Sequence, residues 1–234
     1  MTYKLLVGNK RYSSWSMRAW VLLKALDIPF EESVHCYVKP PPGQFAFHAI
    51  SPTGKVPCLH DASASASLLV HDSLAIVEYV AEDYPRVWPA DRAARAWARC
   101  AAAEMHSAFG SLKTECSMNV GYRVEITEPL SDGLRQDLAR LVELFEEGLG
   151  KFGGPFLAGP AFTAADAFFA PVASRLQTYS LELDAGPAAE YIKRLFAHPA
   201  VQAWVEGGLA ETEREPTREE GCLKGRKLIQ NLCE

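Results

Sequence analysis

Residues 53–76, TGKVPCLHDASASASLLVHDSLAI, decide the fold. Val56-Pro57-Cys58-Leu59-His60 and Leu68-Leu69-Val70-His71 are short apolar runs, and the Ala/Ser-rich stretch from Asp61 to Ser67 joins them, which predicts a β-hairpin. Asp72-Ser73 then supply helix-capping side chains, and Leu74 to Glu82 follows as a helix ended by Tyr84-Pro85. Toward the N-terminus, Tyr3, Leu5 and Val7 alternate with other residues as a first strand. Gly8-Asn9-Lys10 and Ser13-Ser14 read as a loop. Trp15, Ala19, Leu22, Leu23 and Leu26 then form a helical stripe, closed by Pro29. Val34, Cys36 and Val38 alternate as a second strand. Pro40-Pro41-Pro42-Gly43 breaks the chain, and a short helix is expected from Gln44 to Ala49. The order βαβαββα allows a right-handed parallel crossover with an antiparallel hairpin at its edge.

After Pro85 the pattern turns helical. Residues 1–84 are therefore read as an α/β domain and 85–91 as a linker marked by Pro85, Pro89 and Asp91. Residues 92–210 are read as an all-α domain. Its helices are expected at Arg92 to Lys113, Ser131 to Leu149, Thr163 to Tyr179 and Glu190 to Phe196, with another beginning at Pro199. Thr163-Ala164-Ala165-Asp166 is a capping-box pattern. Residues 211–234 form a charged tail, expected to be mobile or helical.

Composition narrows the function. The chain of 234 residues is 48% hydrophobic and 23% charged, with a formal charge of −5 and a pI near 5.7. No basic stripe suggests nucleic acid as a partner, and no apolar run approaches the ~18 residues that would span a bilayer. Six scattered cysteines without CxxC or metal-type spacing point to reduced thiols in the cytoplasm and no metal site.

Three segments of the α/β half carry groups suited to a peptide-like anion. Tyr12-Ser13-Ser14-Trp15-Ser16-Met17-Arg18 places hydroxyls at a helix N-terminus, where they either cap the helix or donate to an anion. Thr53-Gly54-Lys55-Val56-Pro57 leads into a strand through an X-Pro bond. If that bond is cis, Val56 turns its backbone groups outward to pair with a ligand strand; if trans, it is an ordinary strand edge. Asp72-Ser73 combines a carboxylate, a hydroxyl and helix N–H groups, which suits either plain capping or the α-amino acid end of a ligand.

In their order and spacing, Ser13 to Arg18, Gly54-Lys55-Val56-Pro57, Asp72-Ser73-Leu74-Ala75-Ile76 and Thr163 to Asp166 resemble the cytosolic glutathione transferase family, from about Tyr3 to Leu209. The double serine is similar to the serine-type members, zeta-like at the N-terminal motif, with Trp15 where zeta members carry cysteine. The resemblance implies a thioredoxin-like βαβαββα domain followed by an all-helical domain. It implies glutathione as co-substrate, an electrophilic second substrate, no metal, and a cytoplasmic homodimer active in detoxification. It places Ser13 or Ser14 at the glutathione sulfur. The zeta-like alignment selects Ser13, and counting back from Arg18 selects Ser14. Val56 would pair with the cysteinyl backbone beside a cis Pro57, Asp72 and Ser73 would hold the γ-glutamyl end, and Lys55 and Gln44 would meet the glycyl end. Met105, Phe109, Cys116 and Met118 would wall the second-substrate site, or else fill the helical core. A glutathione-dependent isomerase or peroxidase would use the same thiolate, and a non-catalytic binding protein would keep the fold alone.

Overall fold

The computed structural model of the chain describes residues 3–37, 47–63, 68–184 and 186–234. The first strand, β1 (Tyr3–Gly8), buries Tyr3, Leu5 and Val7 on one face, as its alternation requires. It feeds helix α1 (Ser14–Ala25), buried almost all round, and the chain returns as β2 (Phe30–His35), parallel to β1. The hairpin of β3 (Cys58–Asp61) and β4 (Leu68–His71) pairs antiparallel, with β3 against β1. The sheet order is β2-β1-β3-β4. Helix α2 (Ser73–Asp83) and a single 3₁₀ turn at Pro85–Val87 complete this half.

β2 begins four residues before the alternation of Val34, Cys36 and Val38 suggests. It is an edge strand with Glu31 and Glu32 exposed, so no apolar face marks its start. Pairing with β1 sets its limits, from Tyr3 opposite Phe30 to Gly8 opposite His35. Most of the helix expected from Gln44 lies outside the described residues, and 47–50 form a turn.

The second half is helical: α3 (Arg92–Ser107), α4 (Gly110–Glu115), α5 (Asp132–Phe152), α6 (Ala164–Thr178), α7 (Pro187–Phe196) and α8 (Pro199–Ala210). The single helix expected over Arg92 to Lys113 is broken at Phe109, whose φ of 57° is left-handed. That break turns the Phe109 ring inward, edge-on to Phe169 at 6.5 Å. α6 is the central element. It packs against α1 of the first half and α3 and α7 of the second, and nearly every one of its residues is buried. Its start is fixed by Asp166, fully buried, which accepts from the N–H groups of Leu157 (3.0 Å) and Thr163 (2.9 Å) and from the hydroxyls of Thr163 (3.1 Å) and Tyr191 (3.0 Å).

The tail is helical in part, the second of the two expectations, and also contains a strand. It forms α9 (Pro216–Leu223) and β6 (Arg226–Asn231), and β6 pairs antiparallel with a strand in the middle of the helical half, β5 (Tyr122–Ile126). It also clasps the loop between β1 and α1. The Glu211 carboxylate accepts from the N–H groups of Lys10 (2.6 Å) and Arg11 (3.1 Å). The buried Arg11 guanidinium donates to the carbonyls of Gly208 (3.2 Å) and Glu211 (2.8 Å). The Tyr12 hydroxyl donates to Glu219 (2.8 Å).

Candidate functional site

One end of the sheet opens into a cleft of about 630 Å³. Four chain segments meet there: Tyr37 just beyond β2, Gly8 at the end of β1, Val56-Pro57 ahead of β3, and Asp72 after β4. They are crowded together: a methyl group on Gly8 would stand 3.2 Å from both the Tyr37 ring and the Val56 side chain, and 3.3 Å from Cβ of Ser13. Thr53, Gly54, Lys55, Val56 and Pro57 line one wall. The Val56-Pro57 bond is cis, and no backbone hydrogen bond to another described residue engages Val56. Asp72 and Ser73 line the β4 end. Gln44 lies outside the described residues.

Asp72 has φ 78°, in the left-handed region that costs a non-glycine residue roughly 1–3 kcal/mol. This conformation lets its carboxylate cap α2, accepting from the Leu74 N–H at 2.8 Å, while its other oxygen stands 3.5 Å from Nε2 of His106. The Ser73 hydroxyl is fully buried at the cleft and has no hydrogen-bond partner among the described residues. An unsatisfied buried hydroxyl is costly and uncommon in a folded protein.

The two serines are held differently. Ser13 is the N-cap of α1: its hydroxyl accepts from the Ser16 N–H (3.4 Å) and donates to the Ser16 hydroxyl (2.8 Å). Both its roles are occupied. Ser14 accepts a hydrogen bond from the Arg175 guanidinium (3.2 Å), which leaves its own O–H free to donate. Both serines are buried and neither is among the residues that line the cleft, whereas the exposed Trp15, next in the chain, is.

Two cations and an imidazole surround Trp15. The Arg18 guanidinium lies 4.1 Å from its ring, the Lys113 ammonium 5.6 Å, and the His106 ring meets it edge-on at 5.0 Å. Burial, reinforced by the charge of Arg175, brings Arg18 down to about 9. Burial also brings Arg175 down to about 10, and burial with both arginines brings Lys113 down to about 8. Burial lowers His106 below its ordinary value as well. Nε and one terminal nitrogen of Arg18 have no hydrogen-bond partner among the described residues. The helix N-terminus and this cationic cluster together make the inner wall of the cleft favourable to negative charge.

The four residues considered for the second-substrate wall fall on the other side of the choice: Met105, Phe109, Cys116 and Met118 are buried in the core and none lines the cleft. Trp15 and His106 stand there instead. His106 follows Met105 on α3 and is the residue of that helix that reaches the cleft. Tyr37, Phe47 and Arg218 also line the cleft and carried no motif that would single them out. Among the described residues, no group of three His, Cys, Asp or Glu is arranged to hold a metal ion, and no helix is long and apolar enough to cross a membrane.

Residues 12–83 match the glutathione S-transferase N-terminal domain model, and residues 128–207 match the corresponding C-terminal domain model. The chain belongs to the glutathione S-transferase family. The match covers both halves of the glutathione S-transferase fold and stops short of the tail. A glutathione S-transferase-like protein, OpS6, from Beauveria bassiana is 25% identical over 210 residues, covering 86% of this chain and 88% of that one. Among solved structures, a glutathione transferase homolog from Burkholderia with bound glutathione superposes with a TM-score of 0.65 at 26% identity, covering 89% of this chain and 98% of that one. A glutathione transferase from Populus trichocarpa has the same fold, with a TM-score of 0.65 at 20% identity, covering 89% of this chain and 100% of that one.

Proposed function

We propose that this protein is a glutathione transferase that binds glutathione across the end of its first sheet and stabilises the thiolate for attack on an electrophile. The observation that carries this reading is the buried Ser73 hydroxyl, partnerless among the described residues, beside the strained Asp72, both lining a cleft where the segment entering the neighbouring strand offers the unpaired Val56 backbone. An α-amino acid end fits Asp72 and Ser73: its ammonium meets a carboxylate, and its carboxylate meets a hydroxyl and the N-terminus of α2. A cysteinyl unit pairs with Val56 as an added strand. Lys55 remains for the glycyl end.

Ser14 is the better partner for the sulfur, in place of Ser13. Its O–H is free to donate, and the hydrogen bond from Arg175 makes it a stronger donor. A free thiol with pKa near 8.5 is only a few per cent ionised at neutral pH. One hydrogen bond to an anion contributes about 1.5–3 kcal/mol, which is 1–2 pKa units. The helix N-terminus and the cations behind Trp15 act in the same direction. The bound thiolate then attacks an electrophilic carbon held against Trp15 and His106, with proximity supplying further rate. Six unpaired cysteines accord with a cytoplasmic protein, and the family's usual assembly is a homodimer.

A second reading has a specific observation in its favour. Arg18 and Arg175 are buried without a carboxylate ion pair among the described residues, so an electrophile bearing a negative charge would be preferred over a neutral one. A glutathione-dependent isomerase acting on an anionic substrate would meet that preference.

The test is titration calorimetry with glutathione, together with the ultraviolet absorbance of the bound thiolate as a function of pH. Ser73→Ala is expected to weaken glutathione binding about tenfold while leaving the free protein at least as stable. Ser14→Ala is expected to raise the bound thiol pKa by about 1–2 units, and Ser13→Ala to cost about 1 kcal/mol of stability with little change in the thiol. A wild-type protein that neither binds millimolar glutathione nor shows thiolate absorbance would refute the proposal.

A further inference from the structure

The chain after Ala210 lies beyond the stretch matched by the family's C-terminal model, which ends at residue 207, yet it reaches the cleft. α9 is hung on the β1–α1 loop through Tyr12, whose oxygen donates to Glu219 (2.8 Å) and accepts from the Glu215 N–H (3.4 Å). This brings the Arg218 guanidinium over the face of Tyr37, 4.0 Å from the ring centroid. Tyr37 is itself fixed, its N–H donating to Asn9 (2.7 Å) and its ring meeting Phe47 edge-on at 5.0 Å.

The Arg218 side chain makes no hydrogen bond to any described residue. The nearest carboxylate, Glu215, is 3.9 Å from Nε and is already occupied as the cap of α9, accepting the Arg218 backbone N–H at 2.9 Å. A guanidinium lying on an aromatic ring keeps its edge and its outward N–H groups available for a planar anion. The anion best matched in shape is a carboxylate, which accepts two parallel N–H bonds.

Position selects which carboxylate. Arg218 covers the β2 end of the cleft, and Asp72 and Ser73 occupy the β4 end. The strand order β2-β1-β3-β4 puts three inter-strand steps between them, roughly 14 Å at about 4.8 Å each. Glutathione in an extended conformation has roughly that reach, at about 3.5 Å per residue with the extra methylenes of its γ-linkage. With the γ-glutamyl end at Ser73 and the cysteinyl unit on Val56, the remaining carboxylate arrives beneath Tyr37 and beside Lys55.

We propose that Arg218, supplied by the C-terminal segment, binds the glycyl carboxylate of glutathione. The inference rests on the reading of the cleft as a glutathione site. Because Arg218 is exposed and stands at the rim, the expected contribution is that of a favourable surface pair.

The experiment compares the binding of glutathione and of its glycyl monoethyl ester to the wild-type protein, Arg218→Gln and Arg218→Lys, with thermal melting as a check on folding. Arg218→Gln is expected to lose about three- to fivefold in affinity for glutathione and less than about twofold for the ester. Arg218→Lys should fall between, since it keeps the charge and loses the planar fork. If Arg218→Gln binds glutathione as the wild type does, or loses equal affinity for both ligands, the side chain merely packs on Tyr37 and the assignment is overturned. If the wild type binds neither ligand, the glutathione reading itself fails and takes the assignment with it.

Discussion

Lys113 shows how far packing alters single residues in this protein. Its ammonium lies 5.6 Å from the Trp15 ring, and burial, then Arg18 and Arg175, bring it down to about 8. An unfolded lysine holds its proton to about 10.4. Between these two values the unfolded chain binds the extra proton, so this group makes stability rise with pH over that window. We expect the Lys113 ammonium to titrate near 8 by side-chain NMR, and Arg18→Met to move it upward by removing a neighbouring positive charge. Replacement by Met should flatten the rise in urea midpoint between pH 8 and 10; an unchanged slope would count against the assignment. At this scale the sequence was partly legible. Asp72, Ser73, Lys55, Val56 and Pro57 all line the cleft, because each belongs to a short motif whose geometry is set by its neighbours. Ser13 and Ser14 could not be told apart, because what separates them is tertiary: Arg175 comes from 161 positions away to occupy the oxygen of one serine, while Ser16 occupies both roles of the other.

At the scale of elements, the order of strands and helices in the first half followed from alternation and caps. The limits of β2 did not, because an exposed edge strand takes its register from its partner. β5 was readable and missed: Tyr122, Val124 and Ile126 alternate with Arg123 and Glu125, but the segment is short and lies among strong helical patterns. Its partner β6 carries no such alternation in burial. Tight contact between elements also makes a prediction at Gly208 on α8. An added methyl group there would stand 2.7 Å from Val120, 3.0 Å from the Arg11 nitrogen and 3.1 Å from the Lys10 carbonyl carbon. Two of those neighbours are backbone of the loop that leads to Ser13 and Ser14, so the helix and loop must separate. Gly208→Ala is expected to cost about 1–3 kcal/mol in urea unfolding and to weaken glutathione binding. A variant as stable as the wild type would show that α8 yields without strain.

Over the whole molecule, α6 is shared by both halves. It holds Arg175 against Ser14 and Ser174 against Met17, while Asp166 secures the turn that precedes it. Asp166→Ala would strand four buried donors from Leu157, Thr163 and Tyr191, and we expect a loss of at least ~3 kcal/mol. The loop that carries Ser13 and Ser14 should melt together with the helical half in one transition, seen alike by tryptophan fluorescence and far-ultraviolet circular dichroism. Two separated transitions would contradict that coupling. The pairing of β5 with β6 has a further consequence, in time rather than space. Its partners, from Tyr122 with Asn231 to Ile126 with Arg226, are about a hundred positions apart in the chain, and closing so long a loop is slow unless other contacts have already drawn its ends together. On a ribosome, the sheet and the helices through α8 emerge while β5 still waits for its neighbour. Arg11, meanwhile, lacks the Glu211 carbonyl it later bonds. The cleft is thus assembled twice over: first as an open bay on a nascent chain, and then, when α9 docks on Tyr12, with Arg218 added at its rim.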